Sequence, residues 1–139
     1  MRILLVEDNA GDVRLAQEAL AENGRSHEVL VARDGEAALA LLRRPRPAEL
    51  PDLIFLDLNL PGMDGRELLS KLKADKALRR IPVVILSTSQ HERDVAHVYD
   101  LHANCYINKP VDYDRFLEVI RKVEDFWLTI VRLPRDIHA

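Results

Sequence analysis

The sequence predicts an α/β fold, a doubly wound five-stranded parallel sheet with helices on both faces. Three observations carry that prediction. Short, uniformly aliphatic runs recur along the 139 residues, amphipathic segments alternate with them, and turn residues separate the two. Strands that are apolar throughout are buried on both faces, as in a parallel sheet layered between helices.

The elements follow in order. Residues 3–6 form an aliphatic strand stopped by Glu7, Asp8 and Asn9. Residues 12–23 then place Val13, Ala16 and Leu20 on one helical face, with Asp8 or Asn9 as the cap before it and Gly24 as the cap after it. Residues 27–32 read as a second strand, followed by a helix from Gly35 through Leu42, and three prolines make 43–51 a loop. The third strand, 53–58, is apolar but for Asp57. Turn residues fill 61–65, and a helix carrying Leu68, Leu69 and Leu72 follows. Residues 81–86 make the fourth strand, after which Ser89 and Glu92 have capping-box spacing for a helix to about Tyr99. A short fifth strand covers 105–107. Asp112 caps a last helix expected to reach Arg132, roughly 21 residues or about 32 Å.

Composition narrows the function. The chain has 47% hydrophobic and 31% charged residues, enough for one domain with a core and a polar surface. A net charge of −3 disfavours nonspecific nucleic-acid binding, and the basic cluster Arg43-Arg44-Pro45-Arg46 reads as a solvated loop. No apolar run approaches the roughly 18–20 residues of a membrane span, so no membrane partner is expected and the cytoplasm is the expected location. One cysteine, Cys105, gives no internal disulfide. The histidines, His27, His91, His97, His102 and His138, lack metal-ligand spacing.

In an open parallel sheet, ligands sit beyond the carboxyl ends of the strands. Those ends carry Glu7 and Asp8, Asp57, Ser87 and Lys109. Three carboxylates brought together repel unless a cation shares them, and oxygen ligands around a hydrated divalent ion are the magnesium pattern. With Mg2+ present, ionised Asp57 is a nucleophile able to form an acyl-phosphate. Lys109 supplies a second positive charge, Ser87 a hydroxyl, and the backbone near Asn59 and Thr88 further donors. A charge at position 57 in an aliphatic strand is costly without a purpose.

Around these residues the chain closely resembles the receiver domain of two-component response regulators. The matching stretches are 3–9, 53–65, 81–88 and 106–110, and the resemblance covers 1–125, leaving 126–139 as an extension of the last helix and a tail of the same domain. It implies the flavodoxin-like receiver fold with strand order 2-1-3-4-5. It further implies Asp57 as phosphoacceptor and metal ligand, Glu7 and Asp8 as the acidic pair serving Mg2+, and Asn59 as the residue lending a backbone carbonyl. Ser87 matches the switch hydroxyl and Tyr106 the switch aromatic, with Thr88 beside them. Lys109 matches the family lysine, and Pro110 a position where a cis peptide is common. The implied partner is a sensor histidine kinase. Stretches 7–15 and 126–134 are similar to single-domain regulators paired with bacterial phytochrome kinases.

Phe126, Trp127, Ile130, Val131 and Leu133 crowd the end of the last helix. Either they fold back on the domain or they form a homodimer interface. Two rival functions are disfavoured. A haloacid-dehalogenase-type phosphatase needs an acid two residues after its nucleophile, where this chain has Asn59. A flavin binder needs a phosphate-cradling loop where this chain has Glu7 and Asp8. The expectation is therefore a phosphoacceptor switch with no external substrate and no DNA-binding output, acting by protein–protein contact on a target the sequence does not name.

Overall fold

The computed structural model describes residues 2–22, 27–43, 49–88 and 92–134. The chain alternates β1 (Arg2–Val6), α1 (Ala10–Glu22), β2 (Glu28–Ala32), α2 (Gly35–Leu42), β3 (Leu53–Asp57), α3 (Gly65–Ala74), β4 (Val83–Ser87), α4 (Glu92–Asp100), β5 (Cys105–Asn108) and α5 (Tyr113–Asp125). The strands form one sheet in the order β2-β1-β3-β4-β5, every pair parallel. The expected fold is the observed one. The expected caps Gly24 and Ser89, most of the basic loop, and His91 and His138 lie outside the described residues.

Strand periodicity divides the core. Ile3 and Leu5 of β1 point to one face, where they pack with Val13, Phe55 and Phe116 under α1 and α5. Leu4 and Val6 point to the other, joining Leu56, Leu68 and Val98 under α2, α3 and α4. Each fully buried leucine or isoleucine contributes about 1.5–3 kcal/mol, so these two layers dominate the fold's stability.

Local sequence sets the boundaries. Asn9 Oδ1 accepts the N–H of Asp12 at 3.0 Å, so α1 starts at Ala10, two residues before the expected start. Asp34 caps α2 by accepting the N–H of Ala37 at 2.7 Å. Gly65 begins α3 where a Cβ would stand 2.6 Å from the carbonyl oxygen of Asp57, so the helix starts flush against the end of β3. His27 Nε2 and Glu124 Oε1 form a buried pair at 3.1 Å, tying the start of β2 to the end of α5.

The last helix departs from expectation. It does not run to Arg132: α5 passes into a π-helical turn at Phe126–Ile130, closed by the N–H of Val131 on the carbonyl of Phe126 at 2.9 Å. Val131 is then extended and Leu133 is 1% exposed. A helix continued to Arg132 would carry its apolar residues on into water, and the turn instead buries Leu133 in its own chain. Trp127 likewise packs against the core beneath α5. Of the expected interface, Leu133 is thereby withdrawn, Trp127 and Val131 are part-buried, and Phe126 and Ile130 remain exposed.

Candidate functional site

The site forms where β1, β3 and β4 end side by side. Leu5 and Val6 pair with Phe55 and Leu56, and Asp57 pairs with Leu86, so Glu7, Asp57 and Ser87 leave the sheet as neighbours. The N–H of Glu7 bonds the carbonyl of Ala32 at 3.0 Å, holding its backbone in line with β1. Glu7, Asp57 and Ser87 are all buried. Asp8, one residue on, is exposed.

Lys109 gathers the acids. Its ammonium donates to Glu7 Oε1 at 2.7 Å, to Asp12 Oδ2 at 2.9 Å and to Asp57 Oδ2 at 3.2 Å. Its backbone N–H donates to the carbonyl of Ser87 at 2.7 Å, fixing the base of the side chain to the end of β4. Asp57 Oδ1 accepts the N–H of Asn59 at 3.1 Å. Phe55, Leu86 and Phe116 line the apolar floor of a narrow cavity that Glu7, Asp12, Asp57 and Lys109 also line.

Burial and charge act together here. Desolvation, then the hydrogen-bonding carboxylate of Asp57, push the Glu7 carboxyl up to about 9 against the pull of Lys109. Burial disfavours the Lys109 charge, but hydrogen bonds to Glu7 and Asp12 and the field of the acids outweigh it and raise its pKa above the ordinary lysine value. Without a metal ion, burial and the neighbouring acid thus favour the protonated form of Glu7, beside the Lys109 ammonium.

Ligand oxygens of Glu7, Asp8 and Asp57 lie within 4.8 Å of one another. Among the described residues, Glu7 Oε2 finds no hydrogen-bond partner although it is buried. An orphaned buried oxygen beside two more carboxylates fits a hard divalent cation, which would satisfy the oxygen and remove the repulsion.

The other predicted residues sit around this centre. Thr88 is exposed on the rim just after β4. Tyr106 is half-buried, and its backbone N–H donates to the Tyr99 hydroxyl on α4 at 3.1 Å. Pro110 requires a correction, because the Lys109–Pro110 peptide is trans, and no cis bond occurs among the described residues. Trans is the intrinsic preference of an X–Pro bond, and here it coexists with the bond from the Lys109 N–H to Ser87. Sequence reasoning missed Asp12, which it read only as the start of α1. A third acid within five positions of Glu7 does not set it apart, because an ordinary helix start carries one as readily.

The model of the response regulator receiver domain matches residues 3–121. The chain belongs to the response regulator receiver domain family. Receivers are two-component signalling modules, and this one is similar to the response regulator Rcp1 of Synechocystis sp., 47% identical over 135 residues, covering 95% of this chain and 92% of Rcp1. The crystal structure of the phosphorylated cyanobacterial phytochrome response regulator RcpA matches this receiver with a TM-score of 0.91 and 51% identity, over 96% of this chain and 97% of RcpA. The Mn(2+)-bound form of Rcp1 matches with a TM-score of 0.88 and 46% identity, over 96% and 98% of the two chains. Among the described residues of this receiver, no helix is long and apolar enough to cross a membrane.

Proposed function

We propose that Asp57 accepts a phosphoryl group from the phosphohistidine of a sensor histidine kinase, and that the receiver signals by the contacts this changes. The observation that carries this reading is Lys109, whose ammonium bridges Asp57 and Glu7 at the carboxyl end of a parallel sheet. In the transfer, the P–N bond to the histidine breaks as a P–O bond to Asp57 forms. The imidazole leaves as a neutral ring after taking a proton from solvent. Lys109 exchanges Asp57 Oδ2 for a phosphoryl oxygen, and the backbone N–H of Asn59 steadies the other carboxylate oxygen. Such positioning and charge neutralisation are what phosphoryl transfer chiefly requires.

Glu7, Asp8, Asp57 and the Asn59 carbonyl would hold Mg2+. Bound there, Mg2+ neutralises the acids and offsets charge on the phosphoryl oxygens. The Mn(2+)-bound form of Rcp1 and the phosphorylated form of RcpA support this reading. The kinship with RcpA, a cyanobacterial phytochrome response regulator, favours a phytochrome-type kinase as donor, acting in the cytoplasm.

Phosphorylation adds close to two negative charges. In this reading Ser87 and Thr88 follow the phosphoryl group and Tyr106 turns inward behind them, changing the surface of α4, β5 and α5. Residues 1–125 form the switching unit in this reading. The segment from Phe126 onward adds a homodimer surface at exposed Phe126 and Ile130 and half-buried Val131. The receiver is a switch rather than an enzyme turning over an external substrate.

Asp57→Asn tests the central claim. With Mg2+ and a phosphodonor, label in the wild type and none in the variant is expected, and comparable labelling of both sinks the acceptor assignment.

A further inference from the structure

Asp12 touches the site without belonging to its cluster of possible metal ligands. Among the described residues that cluster is Glu7, Asp8 and Asp57. Asp12 Oδ2 instead meets the lysine, at 2.9 Å. Its placement is specified by the helix whose first turn it occupies. Asn9 accepts the Asp12 N–H at 3.0 Å, and the carbonyl of Asn9 accepts the N–H of Val13 at 3.0 Å. An acid at this third helical position commonly turns back to the cap residue's own N–H. Here the carboxylate spans 97 positions of sequence to meet Lys109.

An ammonium has three N–H donors. Lys109 spends them on Glu7, Asp12 and Asp57. Two of those acceptors are the acids on which the proposed chemistry draws, since Glu7 turns to the cation and Asp57 becomes esterified. Asp12 is the acceptor left unchanged by either event. A lysine is a point charge on a flexible four-carbon stem, so a fixed acceptor decides where its remaining donors point.

The charge balance favours the same role. A fourth carboxylate near an incoming dianionic phosphoryl group is unfavourable if its role is electrostatic. Asp12 is 27% exposed, so solvent screens its charge while its oxygen still fixes the ammonium.

We propose that Asp12 is a positioning residue for phosphoryl transfer, holding the Lys109 ammonium on the phosphoryl side of Asp57 once Glu7 and Asp57 are otherwise engaged. The proposal rests on Asp57 being the acceptor. The test uses the full chain with phosphoramidate as donor, comparing wild type with D12A and D12N. The rate is followed against donor concentration, and Mg2+ affinity is measured by calorimetry. D12A should lower the saturating rate about tenfold, as misplacement of a charge-neutralising group does. D12N keeps an acceptor oxygen and should fall between D12A and wild type. Both should keep Mg2+ affinity within about twofold, whereas D8N should lose it.

A D12A rate equal to or above that of wild type overturns the proposal, as does loss of Mg2+ affinity in D12A to the extent seen in D8N. If D12A fails to fold, D12N alone decides, and a wild-type rate in D12N then overturns it. Labelling of D57N is a separate failure, that of the acceptor assignment.

Discussion

The hydroxyl of Tyr99 on α4 accepts the backbone N–H of Tyr106 on β5 at 3.1 Å. β5 is an edge strand, with β4 on one side only, so the Tyr99 hydroxyl takes up an edge donor that another strand could otherwise pair with. Tyr99→Phe removes that acceptor. Tyr99 is 48% exposed, so water replaces the hydroxyl and the stability loss is about 1 kcal/mol or less. Hydrogen exchange at the Tyr106 amide should nevertheless quicken, while exchange in β1 and β3 stays unchanged. An unaltered Tyr106 amide would show that the bond does not protect the edge.

Gly65 sets the approach of α3 to the site. A Cβ there meets Asp57 and Leu58 backbone atoms at 2.6 Å, and main chain cannot step aside as a flexible side chain can. Gly65→Ala should cost about 1–3 kcal/mol in urea unfolding. It should also slow phosphorylation, because the displaced backbone belongs to Asp57. A wild-type phosphorylation rate would mean that α3 alone absorbs the strain.

Glu7 makes the metal-free protein sensitive to pH. Its carboxyl is pushed up to about 9, chiefly by burial and then by Asp57, from an ordinary 4.5. Between those values the folded chain holds a proton that the unfolded chain has released. This contribution to stability is therefore complete below 4.5 and is lost as pH rises through 9. In EDTA, the urea midpoint should fall across that range more steeply for wild type than for Glu7→Gln. Because carboxylates ligate in their deprotonated form, stabilisation by added Mg2+ should grow in the same direction. Equal slopes with and without the Glu7 carboxyl would refute the assignment.

The end of the chain separates two kinds of apolar residue. Leu133 is 1% exposed, and Leu133→Ala should cost about 2–5 kcal/mol in stability. Ile130 is 73% exposed, so Ile130→Glu should change monomer stability by no more than about 0.5 kcal/mol. If Phe126 and Ile130 form the homodimer surface, that second variant sediments as a monomer while wild type does not. Identical sedimentation would remove the dimer from the proposal.

Much of this was legible in the residues because burial writes a strong signal. The strands 3–6, 53–58 and 81–86 are aliphatic enough to be read directly, and Asp57 stands out within its strand as the only charge. Asp12 was not legible, since an acid in the first turn of a helix is ordinary complement to the helix dipole. Only the fold, by bringing Lys109 across the sequence, distinguishes it. The π-helical turn at Phe126–Ile130 was hidden because apolar residues on every side satisfy both a continued helix and a folded-back end. The Lys109–Pro110 peptide turns on an energy difference of about 0.5–1 kcal/mol, below what a motif resolves.

Lys109 also sets an order in which this switch could be lost by descent. Its main chain is bonded to the end of β4 and its ammonium to Glu7 just after β1, Asp12 in α1 and Asp57 in β3. A lineage that stops using phosphate can replace Asp57 by asparagine in one step and relieve repulsion as it does so. Replacing the lysine first leaves Glu7, Asp12 and Asp57 together over an apolar floor without the ammonium they share. Descendants that have fallen silent should therefore have shed acids while the lysine persisted, and the reverse order should be rare.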